Sequence, residues 1–424
     1  MSHIEARLIH VIGLGVAQYA TLSAQASDAL LSSDAIIGSK RQIDTIAHLV
    51  HAADVKPEII AMPKLAQLKL LLAEYSGQAI TVLASGDPLY YGVGRWLAQH
   101  VDKKRLRFYP AVSSIQAACH ELGLSIQDVE VLSLHGRPIE KLRTCLQANK
   151  KLVVLTDQYS QPTALARECM AAGFDQSTLT VCENLGYDNQ CVRQFTVQQL
   201  VDSAALHVDP LHITVIELSG VGGVFPEFPG IADTAYMTGA DPGKGMISKR
   251  EVRLVILSLL QPAHKDIIWD VGAGCGGVTV ELAYWNKTIT VHAIEYHQQR
   301  LQYLSDNCHR FGVSQQVNIV SGRAPDICSH LPSPNKIFVG GSDGKMAQLL
   351  PALWERLPLG GVLVVSAVMG SSKEVLKGFA QTAHNSFVES VEVAIKRGDI
   401  HDEQLRYQEK LPVEIFKFVK TSYE

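Results

Sequence analysis

The chain has 424 residues, of which 47% are hydrophobic, and a formal net charge of -4. That is about two to three times the length of an ordinary domain, so two domains with separate cores are expected. The balance of charge offers no basic field for a nucleic-acid partner, and no apolar run approaches the roughly 18 residues that suggest a membrane span.

Residues 1–15, MSHIEARLIHVIGLG, place charges before the first apolar run and lack the apolar core and cleavage site of a signal peptide. A cytoplasmic protein without a membrane partner is therefore expected. Short apolar runs then alternate with longer amphipathic stretches. Strands are expected at 8–12, 79–83, 106–109, 152–155, 178–181 and 212–218 in the first half. In the second they are expected at 267–271, 290–294, 317–320, 336–339 and 361–366, with 415–420 at the end. Strands alternating with helical patterns predict mostly parallel α/β sheets. The cysteines form no CxxC pair and no Cys/His cluster with zinc spacing, so reduced, mostly buried thiols and no metal site are expected.

In the first half, residues 13–17 read GLGVA after the first expected strand, and 85–94 read SGDPLYYGVG. Asp87 and Pro88 fix a turn there, and the surrounding glycines permit unusual backbone angles. Between Ser219 and Gly245 the periodicity breaks in a Gly/Pro-rich segment. We read 1–219 as one domain, 220–245 as linker and lead-in, and 246–424 as a second domain.

The second domain opens with a clear signal. Residues 267–283 read IIWDVGAGCGGVTVELA: an apolar strand ending at Asp270, a glycine turn, and the start of an amphipathic helix from Val278. Gly272, Gly274 and Gly276 let a ligand approach backbone where a Cβ would collide. One βαβ step later Glu295 ends a strand, where a carboxylate can accept both ribose hydroxyls of an adenosine-containing ligand. Gly272, Gly274 and Gly277 also satisfy GxGxxG, which leaves a nicotinamide-dependent dehydrogenase open. Three features favour S-adenosyl-L-methionine as the ligand. Asp270 precedes the first glycine by two residues, as in class I methyltransferases. The loop 321–326, SGRAPD, with Arg323 and Ala324, follows a strand where such enzymes hold adenine. FVGGS at 338–342 ends the fourth strand at the expected mouth.

These residues, with EVR at 251–253 and KRG at 396–398, resemble the corrin-pathway methyltransferase–decarboxylase domain acting at carbon 15. The resemblance covers 236–420. It implies that Ser248, the loop Gly272, Ala273, Gly274, Cys275 and Gly276, together with Glu295 and Ala324, contact the methyl donor. The first half resembles the tetrapyrrole methylase family, in its carbon-5 branch. The match rests on SGDP, on YPAVSSIQ at 109–116, VLSLHGR at 131–137, TD at 156–157, QPTA at 161–164 and ENLG at 183–186. It implies a donor cleft between two α/β lobes near Gly13, Gly15, Gly86, Asp87, Ser113 and Ser114. Family members continue the first motif as GxGPG, so the lost Pro and Gly put the shape of the 13–17 loop in question.

Together the halves resemble the fused precorrin-6Y C5,15-methyltransferase (decarboxylating) family. The implied architecture is α/β: an N-terminal bilobal tetrapyrrole methylase fold and a C-terminal Rossmann-like class I methyltransferase domain. The implied reaction converts precorrin-6B into precorrin-8, with two methyl transfers and loss of the ring C acetate carboxyl. The donor is S-adenosyl-L-methionine, one site per domain, and both families imply a homo-oligomer. The substrate carries many carboxylates, which makes Arg137, Arg253 and Arg397 candidate anchors, each equally readable as a structural ion pair. No catalytic residue is assigned, because the macrocycle's bridging carbons are already nucleophilic. Alternatives are a class I methyltransferase for nucleic acid, which the FVGGSDG turn does not suit, and a non-catalytic tetrapyrrole sensor or scaffold.

Overall fold

The structure is a computed structural model that describes residues 8–52, 56–203, 206–383, 386–401 and 403–421. The charged start read above, residues 1–7, lies outside them. The chain divides into two compact units, Met1–Ile139 with Cys145–Gly222, and Glu140–Thr144 with Gly223–Glu424.

The first unit holds two sheets. Strands β1 (Leu8–Gly13), β2 (Ala35–Gly38), β3 (Glu58–Ala61), β4 (Ala79–Ala84) and β5 (Leu106–Tyr109) pair in the order β3-β2-β4-β1-β5, all parallel. Helices cover both faces, which is why β1, β2 and β4 are runs of buried residues rather than alternating ones. Ile9, Val11 and Val82 pack with Leu68, Leu72 and Leu97 on one face, and Ile12, Ile36 and Leu83 pack with Leu30 and Ile46 on the other. Each such side chain contributes about 1.5–3 kcal/mol by leaving water.

The second sheet departs from the mostly parallel expectation. Strands β6 (Glu130–Ser133), β7 (Lys151–Leu155), β8 (Thr178–Glu183), β9 (Cys191–Thr196) and β10 (His212–Glu217) are ordered β6-β7-β10-β8-β9. Only β6 and β7 run parallel, and β10 lies antiparallel to both neighbours. A short connection from β8 to β9 permits only an antiparallel pair, since parallel strands need a long crossover.

The second unit is built on β11 (Ile267–Val271), β12 (Thr290–Glu295), β13 (Val317–Ser321), β14 (Lys336–Val339) and β15 (Val362–Ala367). Then come β16 (Phe387–Val393), a two-stranded ribbon of β17 (Lys396–His401) and β18 (Gln404–Glu409), and β19 (Val413–Val419). The main sheet has the order β13-β12-β11-β14-β15-β19-β16, parallel through β15, with β19 antiparallel to both its neighbours. Strand order reverses beside β11, so the crevice lies beyond the carboxyl ends of β11, β12 and β14.

Helix Gly277–Trp285 is not amphipathic: every residue from Gly277 to Tyr284 is buried. Helix Arg250–Leu260 packs against it, and Ile231 and Tyr236 from the lead-in join the same core. The lead-in is thus part of the second unit rather than a loose connector. Among the described residues no helix is long and apolar enough to cross a membrane.

Candidate functional site

Each unit contains a large cleft at the ends of its parallel strands. In the second unit it encloses about 700 Å³. The chain leaves β11 at Val271, and the amides of Gly272 and Ala273 both donate to the Ile294 carbonyl, folding the glycine loop over the end of β12. Gly272 has a φ of +74°, and a Cβ there would stand 2.7 Å from the Gly341 carbonyl oxygen. The backbone is therefore bare on both sides of the crevice where β11 and β14 end.

Glu295 lines this cleft, 3% exposed. One oxygen accepts from Gly274 N at 3.0 Å, and the other accepts from the amides of Tyr296 and His297, each at 2.9 Å. A carboxylate has about four acceptor positions, so with three amides donating to it Glu295 keeps about one further position to accept from a ligand hydroxyl. Asp270 is 1% exposed. Its Oδ2 accepts from Thr279 Oγ1 at 2.5 Å, while Oδ1 is buried without a partner. Burial pushes its carboxyl up to about 6, with the Glu295 charge adding to the effect and the Thr279 hydroxyl opposing it. Asp270 borders the cleft, where its carboxylate when ionised favours a cationic ligand through its charge rather than by contact. Arg323 lies 3.6 Å from the ring centre of Tyr296 and pairs with Asp343, so the loops after β13 and β14 meet at the mouth. Ser248, Ala273 and Ala324 complete this wall.

The first unit's cleft is larger, about 1460 Å³. Gly15, with φ +70°, forms an isolated antiparallel bridge with Gly86, whose amide donates to Gly15 O at 3.1 Å. The 13–17 loop is thus held by backbone pairing, which does not require the missing Pro and Gly. Gly186, at φ +75°, packs so closely on it that a Cβ would lie 2.1 Å from the Val16 carbonyl oxygen. Ser113 caps helix Ser114–Glu121 in a capping box with Gln116, and both Ser113 and Ser114 face the cleft. His135 and Arg137 enter it from beyond β6, and Arg137 Nη1 donates to Ser133 O at 3.1 Å.

A family model described as tetrapyrrole (corrin/porphyrin) methylases matches residues 8–201, and one described as precorrin methyltransferase domain matches 242–420. A Sinorhizobium sp protein named precorrin-6Y C(5,15)-methyltransferase [decarboxylating] is 33% identical over 371 residues, 86% of this chain and 86% of the relative. The chain belongs to the precorrin-6Y C5,15-methyltransferase (decarboxylating) family. Relatives matching part of it carry one activity in their names. A Salmonella typhimurium (strain LT2) cobalt-precorrin-7 C(5)-methyltransferase is 29% identical, covering 45% of this chain and 91% of the relative. A Pyrobaculum calidifontis probable cobalt-precorrin-6B C(15)-methyltransferase (decarboxylating) is 30% identical, covering 39% and 84%.

For a precorrin-6Y C5,15-methyltransferase several expected contacts need correction. Arg253 is 0% exposed, its guanidinium held by Asp233 at 2.7 Å and Glu281 at 3.3 Å, so it cannot meet a substrate carboxylate. Arg397 lies off the cleft lining, and its Nη2 donates to both Asp233 and Glu251, at 2.8 and 2.7 Å. Asp87 accepts from the amides of Leu89, Tyr90 and Ala111 and shapes the turn instead of lining the cleft. Gly13, whose Cβ would stand 2.7 Å from Gly86 O, is a packing position. Cys275 and Gly276 lie off the cleft lining as well: Cys275 is buried, and Gly276, at φ +89°, caps the following helix. Arg41 and Arg95 in the first cleft, and Lys249, Lys345 and Lys410 in the second, were not foreseen. They sit in no motif, and only folding gathers them.

Proposed function

We propose that this chain methylates carbons 5 and 15 of precorrin-6B and decarboxylates the ring C acetate, giving precorrin-8. The first unit acts at carbon 5 and the second at carbon 15. The observation that carries this reading is that two unlike clefts, each with bare glycine backbone on its wall, lie one in each unit, and each unit carries one of the two family matches. We read the enzyme as a cytoplasmic homo-oligomer with no nucleic-acid or membrane partner.

The residues present fit S-adenosyl-L-methionine: Gly272 and Gly341 bring bare backbone to the cleft wall, Glu295 keeps about one acceptor position, and the Asp270 carboxylate beside them suits a positive charge. In the first unit Gly15, Gly86, Ser113 and Ser114 would hold it. When bound, the donor supplies a sulfonium methyl to an electron-rich bridging carbon. The chain's part is positioning, which can supply roughly 7–11 kcal/mol without a dedicated base. Arg137 on the first cleft wall is placed to hold a macrocycle carboxylate. In the second cleft Ile395 and Val413 give an apolar wall for the departing carboxylate; as carbon dioxide leaves, the electrons of the broken C–C bond pass into the conjugated ring and the methylene left behind takes up a proton.

Incubating the purified chain with precorrin-6B and methyl-labelled donor tests this reading. Product mass is expected to show two methyls gained and one carbon dioxide lost. Binding of both ligands without product would instead indicate a sensor.

A further inference from the structure

The second cleft borders a cluster of charges that does not balance. Arg253 and Arg397 share Asp233, each taking one of its oxygens. Glu251 gives its remaining oxygens to Arg397 and Arg250. Glu281 is filled by Arg253, the amides of Gly230 and Ile231, and the Trp285 indole. All three carboxylates are therefore spent on arginines and on the lead-in. Lys249 and Lys410 stand on the cleft wall beside this network, and among the described residues neither has a carboxylate within ion-pair distance.

Their placement is specific. Lys249 immediately precedes helix Arg250–Leu260, and Lys410 lies where the β17–β18 ribbon returns toward β19. Lys249 Nζ donates to Gly243 O at 2.6 Å, which leaves two of its three protons. Burial pulls its ammonium below the usual lysine range, and the nearby Arg397, Lys410 and Arg253 charges pull the same way against Asp233. A corner where cations crowd one another at the edge of a cavity is stabilised by an incoming anion. In sheet order β19, which follows Lys410, lies beyond β15, across β11 from Glu295 on β12, while Lys249 follows Ser248 on the same cleft wall.

We infer that Lys249 and Lys410 form a carboxylate subsite of the second cleft, which grips a peripheral carboxylate of the macrocycle that does not leave. The assignment rests on the proposed carbon-15 activity and adds to it the residues that orient the substrate. A carboxylate held by two ammonium groups is stabilised in its ionised ground state, so the departing acetate belongs instead against the apolar wall.

The test uses the full chain with precorrin-6B and S-adenosyl-L-methionine, following carbon dioxide release and, separately, donor binding by calorimetry. Lys249→Met and Lys410→Met should each raise KM for the macrocycle about ten- to hundred-fold, the usual range for losing a charge-assisted hydrogen bond. The kcat and the donor Kd should stay within about two-fold, the pattern of lost uniform binding. The double variant should lose the rise of KM with salt, and Lys→Arg at either position should restore most of the affinity. An unchanged KM in both single variants would overturn the assignment. A matching loss of donor affinity would also overturn it, giving the lysines to the donor's own carboxylate. A wild-type chain that binds donor but releases no carbon dioxide would instead sink the carbon-15 reading itself, before any variant is made.

Discussion

Asp270 shows how one buried group couples ligand, proton and stability. Its carboxyl is raised from 3.8 to about 6, so the folded state holds a proton that the unfolded chain has already lost between those values. The resulting stabilisation is fully present below the unfolded pKa and disappears as pH rises through about 6. A cationic donor favours the ionised form, so its affinity should fall as pH drops below about 6. Calorimetric titrations on both sides of that pH are expected to show this decline. Asp270→Asn should bind donor more weakly at neutral pH, by about ten-fold or more, without the decline. Equal pH dependence in the variant would place the titrating group elsewhere. Gly272 acts by sterics alone, since its left-handed φ and the Gly341 backbone exclude a side chain.

At the scale of elements, helix Arg250–Leu260 is the fastener of the second unit. Its Arg253 crosses to Glu281 on helix Gly277–Trp285 and to Asp233 in the lead-in, and its guanidinium also holds the Ser248 carbonyl at the cleft. Arg253→Met leaves two buried carboxylates short of their cation, which should cost about 3–5 kcal/mol. Chemical denaturation should show the second unit's unfolding free energy falling by that amount. A loss below about 1 kcal/mol would mean that Arg397 alone compensates Asp233. In the first unit, Gly186 plays the corresponding part for the 13–17 loop. Gly186→Ala should distort that loop and weaken donor binding there, because the Val16 carbonyl cannot give way without shifting backbone.

For the whole molecule, the two clefts predict separable chemistry. Gly86→Val places a branched side chain against Ser113 at φ +64°, and its product should gain one methyl and lose carbon dioxide. Gly272→Val should release no carbon dioxide. Product masses from the two variants check both expectations, and decarboxylation surviving in Gly272→Val would reverse the assignment of activities to units.

The central strands, the glycine loop at 272–276 and the acid at Glu295 were all legible along the chain, because each is a local pattern: an apolar run, a turn needing glycine, a carboxylate one βαβ step later. Strands β2, β3, β6 and β9 were not, being short or, in β9, a polar edge strand that its neighbour completes. β18 carries little apolar signal, and β16 has apolar residues, Phe387, Val388, Val391 and Val393, that stay exposed or half-buried. Motif arginines looked like substrate anchors, yet Arg253 is wholly buried, since what a guanidinium meets depends on carboxylates far along the chain. Conversely, Lys249 and Lys410 belong to no motif and share a cleft only after the ribbon folds back toward β19. Backbone geometry is encoded within a few residues and can be read there. The pairing of long charged side chains is a competition among distant partners, and packing alone chooses between them.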